Sequence, residues 1–165
     1  MNIFVLDENP KTAAQYNCDK HVVKMIVELY QQLGSAVIRS GATPELMPLT
    51  SKNTPLKGGY HNHPCTRWCG DSRDNYEWAV EHALELCLEY TKRYGKIHSC
   101  EAGIVHLAKM SNIIPEGPLT SFALAMPDEY KSEDAVESYR TYYLNDKKAF
   151  AKWEKSNNVP FWWKL

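Results

Sequence analysis

The stretch "DKHVVKMIVE", Asp19 to Glu28, holds the first residues in the chain whose types and spacing could do chemistry. At 3.6 residues per turn, His21, Lys24 and Glu28 fall within an arc of roughly 60°. A carboxylate there can serve as general base, an amine as nucleophile or cation, and an imidazole as proton shuttle. The apolar residues Val22, Met25, Ile26, Leu29 and Leu33 make a stripe beside that arc. The three polar groups are therefore expected at the border of the core, where a cleft would open. An ordinary amphipathic helix fits the same residues, with Lys24 and Glu28 as an i,i+4 pair in its weaker orientation.

Three further segments carry candidate groups. "YHNHPCTRWCG", Tyr60 to Gly70, gathers Asn62, His63, Cys65, Arg67, Trp68 and Cys69 just ahead of a helix. Its Cys-x3-Cys spacing has no paired CxxC, so no metal is expected. An Asn-His-Pro turn that presents polar groups to the first helix fits better, with His63 and Arg67 as candidate phosphate ligands near a helix N-terminus. "AMPDEYK" offers Asp128 and Glu129 as partners for Lys24 or Arg67, or as acids in a helical first turn. "SYRTYYLNDKKAFAKW" interleaves Arg140, Lys147, Lys148 and Lys152 with aromatics. That pattern suits a nucleic-acid surface, and equally lysines lying over a buried aromatic face.

The elements that must position these groups are mostly helical. "NIFVL", Asn2–Leu6, reads as a short strand. A helical turn at Pro10 follows, then a helix capped by Asn17 or Asp19 that ends at Gly34 or runs on to Ile38. Ser40 to Gly70 is rich in Pro and Gly and reads as a long loop, 41–70, functional or mobile. "DSRDNYEWAVEHALELCLEYTKRYGKI" is the clearest helix, capped by Asp71 or Ser72 and closed at Gly95. "CEAGIVHLAKM" is a shorter helix, and a last one is expected from a Ser132 cap through "KAFAKWEK". The expected fold is mainly α: a single-domain bundle of four to five helices, a short N-terminal strand and long loops.

Composition narrows the classes. With 165 residues, 44% apolar and 24% charged, the chain is long enough for one core and unlike a disordered protein. A formal net charge of −1 removes the simplest argument for nucleic acid but leaves a local basic groove open. Five dispersed cysteines, no basic leader and no long apolar run point to reduced thiols in a soluble, cytoplasmic protein without a membrane span. Ten tyrosines and five tryptophans, many of them late in the chain, suggest an aromatic core or a stacking surface.

Two resemblances follow from these segments. "MNIFVLDENPKTAAQYNCDKHVVKM", "NHPCTRW", "ALELCLEYTKRYGK" and "AMPDEYK" resemble, over nearly the whole chain, a family of uncharacterised proteins of tailed bacteriophages. Asn62, His63, Pro64 and Trp68, with Leu84, Cys87, Glu89 and Tyr90, are similar to small pyrimidine dimer DNA glycosylases of the endonuclease V type. The second resemblance implies a helical repair enzyme without cofactor. An amine attacks the sugar C1′, and a Schiff base then leads to strand cleavage. It implies the α-amine of Met1, or Lys20 or Lys24, as nucleophile, with Glu28 as the carboxylate. The leading expectation is thus a phage-encoded DNA N-glycosylase or glycosylase/lyase. The alternatives are a hydrolase or transferase acting on a free nucleotide or nucleoside, and a non-enzymatic phage protein that binds a host protein through an exposed "VPFWWKL".

Overall fold

The computed structural model describes residues 1–164 and contains six α-helices. These are α1 (Pro10–Tyr16), α2 (Asp19–Arg39), α3 (Pro64–Asp71), α4 (Arg73–Tyr94), α5 (Glu101–Ala108) and α6 (Ala135–Asp146), with short 3-10 turns at Pro44–Leu46, Ser111–Ile113 and Asp128–Tyr130. The long helices α2 and α4 pack on each other, with α1 against α4 and α3 against both. No helix among the described residues is long and apolar enough to cross a membrane.

Local chemistry sets the helix bounds. Asn9 caps α1 by accepting from the amides of Lys11 and Thr12, and Pro10 opens the first turn. The Ser72 hydroxyl accepts from Asn75 N to cap α4, and Gly95 closes it in the left-handed region. Helix α2 runs straight through Gly34, because the missing side chain is what lets the loop approach there. A Cβ on Gly34 would stand 2.6 Å from Leu56 Cδ2.

Four expectations need correction. Asn2–Leu6 is no strand, and no named strand exists among the described residues; the one isolated bridge joins Leu49 and Pro55. The segment folds on itself instead: Asn2 Oδ1 accepts from the amides of Ile3 and Phe4, and Leu6 N donates to Phe4 O. With amides met locally, there is no ladder to offer a partner. Six α-helices stand among the described residues, not four to five, because the 41–70 loop hides α3. Its start lies at Pro64, where His63 Nδ1 accepts from Cys65 N in place of a Ser or Asp cap. The last helix is capped by Asp134 rather than Ser132 and stops at Asp146, so "KAFAKWEK" lies outside it.

Ile3, Phe4, Val5 and Leu6 are all at most 3% exposed and fill the middle of the core. Phe4 is stacked on His21 at 4.5 Å and lies edge-on to Tyr139 and Tyr143. The late aromatics therefore belong largely to the core. Trp153 and Trp162 are buried, so the C-terminal anchor imagined for a partner protein is in large part turned inward, although Phe161 stays exposed.

A buried ionic knot joins α1, α2 and α4. The Arg93 guanidinium pairs with Glu89 at 3.0 Å and Asp19 at 3.3 Å, and donates to the carbonyls of Asn17 and Gln15. Removing the cation leaves two buried carboxylates and two carbonyls without their partner. Arg93→Met is expected to lower the unfolding free energy by about 3–5 kcal/mol, read as a shifted urea midpoint.

Two buried histidines grip the same region. Burial pushes His21 down to about 3, with Lys147, Lys24 and Lys20 adding in that order. Burial likewise pushes His82 down to about 4, against the opposing pull of backbone carbonyls at Pro10 and Ile3. Its Nδ1–H donates to Pro10 O at 3.0 Å, and Nε2 is buried without a partner. Below about pH 6.5 the unfolded imidazoles take up protons that the folded ones refuse, so this stability is full above that pH and is lost as pH falls toward 4 and 3. Each histidine is expected to withdraw about 2 kcal/mol by pH 5. Urea midpoints between pH 7.5 and 4.5 should fall steeply, and less steeply in His82→Gln.

Candidate active site

The buried N-terminal segment delivers the start of the chain to the outer face of α2. The Met1 α-amine stands 3.4 Å from Glu28 Oε1, and the Asn2 amide donates to the same oxygen at 2.9 Å. Lys24 Nζ reaches the other carboxylate oxygen at 3.8 Å. Glu28 is therefore bracketed by two amines of different kinds. Its side chain is only 12% exposed, whereas Lys24 is 66% exposed.

Asn2 anchors this arrangement. Its Nδ2 donates to Ala125 O at 2.8 Å, and its own carbonyl accepts from Gln32 Nε2 at 2.8 Å. Gln32 sits one helical turn beyond Glu28 on α2, so one helix positions both the carboxylate and the backbone that carries the amine.

Two adjoining cavities, of about 420 and 110 Å³, share Met1, Lys24 and Glu28 on their walls. The larger adds Val23, Val27, Gln31 and Tyr60. The smaller adds Asn2, Phe4, His21, Met25, Tyr142 and Lys147. Lys147 Nζ lies 4.5 Å from the Tyr142 ring centroid and 3.3 Å from its hydroxyl. The near-zero net charge thus conceals a local excess of cations, which the depressed His21 registers through Lys147, Lys24 and Lys20.

His21 lines the smaller cavity but is itself buried and neutral, with Nδ1 sharing a 2.6 Å hydrogen bond with the Tyr143 hydroxyl. This geometry suits a packed, uncharged wall more than a shuttle exchanging protons with solvent. His63 lies within reach of the site's charges. Burial lowers it first, the chain's N-terminal charge pushes the same way, and Glu28 opposes both.

The other sequence candidates are distributed differently. Lys20 is exposed and rests 4.9 Å over the Phe150 ring. Asn62 and Arg67 are exposed on the loop tip and on α3. Trp68 is buried between Trp78 and Phe122, its Nε1–H directed at Thr120 O, so its ring is closed to a ligand. Asp128 and Glu129 lie exposed on a 3-10 turn and line neither cavity; Asp128 pairs with Lys131 at 2.9 Å. Arg140 is held by Asp7 and by Leu6 O, beneath the rings of Tyr16, Phe161 and Trp162. Cys65 and Cys69 turn into the core toward Tyr139 and Gln32.

Sequence reasoning passed over Tyr60, Gln31 and Tyr142. Tyr60 had one visible signal, an aromatic placed directly after Gly58-Gly59. Tyr142 lay inside the basic-aromatic segment, but its neighbour across space, Phe4, is far away in sequence.

Chemically, the site offers an amine held against a carboxylate, in a partly shielded cavity with cations around it. This is the equipment for nucleophilic attack by an amine with proton transfer to a neighbouring base. Comparison with curated proteins gave no match, and comparison with solved structures gave none either. A family model described as pyrimidine dimer DNA glycosylase matches residues 1–102, which span the α-amine, Glu28, the Asn-His-Pro turn and all of α4. With well over half its length inside that match, the chain belongs to the pyrimidine dimer DNA glycosylase family.

Proposed function

We propose that the protein excises pyrimidine dimers from DNA as a glycosylase and AP lyase, with the α-amine as nucleophile and Glu28 as its proton partner. The single observation that carries this reading is the 3.4 Å pairing of the Met1 amine with a Glu28 carboxylate inside the cavity. The amine gives its lone pair to C1′ of the damaged nucleotide, the glycosidic bond breaks toward the base, and Glu28 takes the proton released by the nitrogen. Ring opening then yields a Schiff base, and loss of the proton at C2′ expels the 3′ phosphate.

Lys24 is the rival amine. It reaches Glu28 only at 3.8 Å and stands mostly in solvent, so it suits phosphate neutralisation better than attack. Were Met1 removed during maturation, the new amine at Asn2 would occupy the position now 2.9 Å from Glu28. The reading therefore tolerates either processing state. Phage origin would fit the resemblance of the whole chain, and the cytoplasm would fit a repair enzyme.

Borohydride trapping on ultraviolet-irradiated duplex DNA tests the proposal. Wild-type protein should form a covalent adduct whose DNA-bearing peptide is the N-terminal one. Glu28→Gln should slow single-turnover excision by about 10²- to 10⁴-fold while leaving the fold intact. Lys24→Gln should still trap. An N-terminal extension of a few residues should abolish trapping, and an adduct on Lys24 in wild-type protein would overturn the assignment of the nucleophile.

A further inference from the structure

Three described residues other than glycine adopt positive φ: Phe4 at 56°, Asn53 at 60° and Tyr60 at 53°. Asparagine visits this region readily, whereas a large aromatic residue does so only under constraint. Both strained aromatics line the cavities at Glu28, one each. For Phe4 the constraint is offset by packing, since its ring is buried against His21, Tyr139 and Tyr143.

Tyr60 has no such compensation. It is 68% exposed, and among the described residues its ring has no aromatic or cationic neighbour and its hydroxyl no hydrogen bond. Its backbone is nevertheless fixed from both sides. Ser35 Oγ, on α2, accepts from Gly59 N at 2.8 Å and donates to Gly59 O at 2.9 Å. Gly58, at φ +70°, lies so close that a Cβ would strike the Ser35 hydroxyl and backbone. On the other side, Tyr60 O accepts from His63 N at 3.0 Å, and His63 caps α3. Two elements thus hold an unfavourable conformation whose product is a free phenol ring beside Met1, Lys24, Glu28 and Gln31.

Uncompensated strain at the edge of a site indicates selection for what the side chain does outside the fold. A free aromatic face next to cations suits the face of a nucleobase. The cyclobutane pyrimidines have lost their C5–C6 double bonds and stack poorly, so the aromatic faces on offer belong to the bases beside them. We propose that Tyr60 is the positioning residue that stacks on an aromatic base left unstacked next to the lesion, so holding the attacked C1′ in register with the α-amine. The proposal rests on the glycosylase reading above.

The test uses duplex DNA with a single thymine dimer flanked by 2-aminopurine. Tyr60→Ala should weaken binding to this duplex by roughly 5- to 150-fold while leaving affinity for undamaged duplex unchanged. Emission from 2-aminopurine should be quenched in the wild-type complex and brighter with Tyr60→Ala. Tyr60→Trp should restore both signals. Tyr60→Gly should raise the Tm, because it relieves the strain, yet behave like alanine on DNA. Equal lesion affinity and equal emission for wild type and Tyr60→Ala would overturn the proposal, as would a lower Tm for Tyr60→Gly. If the emission depends on Tyr60 but wild type gives no borohydride adduct, the stacking role stands and the assignment of the α-amine as nucleophile falls. Failure of wild type to bind the dimer duplex overturns both.

Discussion

The amide of Asn2 and the amine of Met1 converge on a single carboxylate oxygen of Glu28, and most of the molecule is arranged around that convergence. It requires the first residues of the chain to leave the core at one point on α2. Ile3 to Leu6 meet this requirement by being buried as irregular backbone, the costliest way to place a segment unless each polar group finds a partner. Asn2 is central to that satisfaction: its side chain bonds its own following amides and Ala125 O, while Gln32 covers its carbonyl. The core is therefore built around the segment that carries the candidate nucleophile.

That solution explains the buried titratable groups. His21 and His82 lie against the N-terminal segment, one stacked on Phe4 and the other bonded to Pro10 O. Leucine would bury more cheaply at either place. An imidazole instead supplies a flat ring and a hydrogen-bonding nitrogen, which His21 gives to the Tyr143 hydroxyl and His82 to the first carbonyl of α1. Arg93 plays the same part at the α1–α2 junction, where the carbonyls of Gln15 and Asn17 would otherwise be buried at a helix end.

Long-period features were legible in the sequence and short-range geometry was not. Helix α2 announced itself through apolar spacing, although Cys18 rather than Asn17 or Asp19 stands at its N-cap and makes no side-chain cap bond; α4 announced itself through spacing and caps, and the stripe of Lys24 and Glu28 at the core border followed from 3.6 residues per turn. The misread strand had β-branched and aromatic composition, which reports burial as much as pairing; what denied it a partner was the Asn2 side chain competing for its amides. Helix α3 was missed because His63 caps it, a role that residue type does not advertise. Trp68 belonged to a motif that looked like a ligand platform, yet its ring packs on Trp78 of the next helix and on Phe122 from a distant loop. The pairing of Met1 with Glu28 spans the N-terminus and a helix face, and no spacing rule connects them.

The family match covers residues 1–102, but the cavity does not stop there. Tyr142 and Lys147, from the end of α6 and just beyond it, also line the smaller cavity. Lys147 is held over the Tyr142 ring, and Tyr142 is stacked on Phe4, the strained residue of the N-terminal segment. The later part of the chain thus braces the segment bearing the amine and adds a cation to the lining that Glu28 shares. A cation on an aromatic face retains its charge for an external anion, whereas Arg140, locked to Asp7, has its charge largely neutralised. Of the two basic side chains that α6 and its end bring to the N-terminal segment, Lys147 is the one that lines the cavity, whereas Arg140 is held by Asp7 and Leu6 O and does not line it.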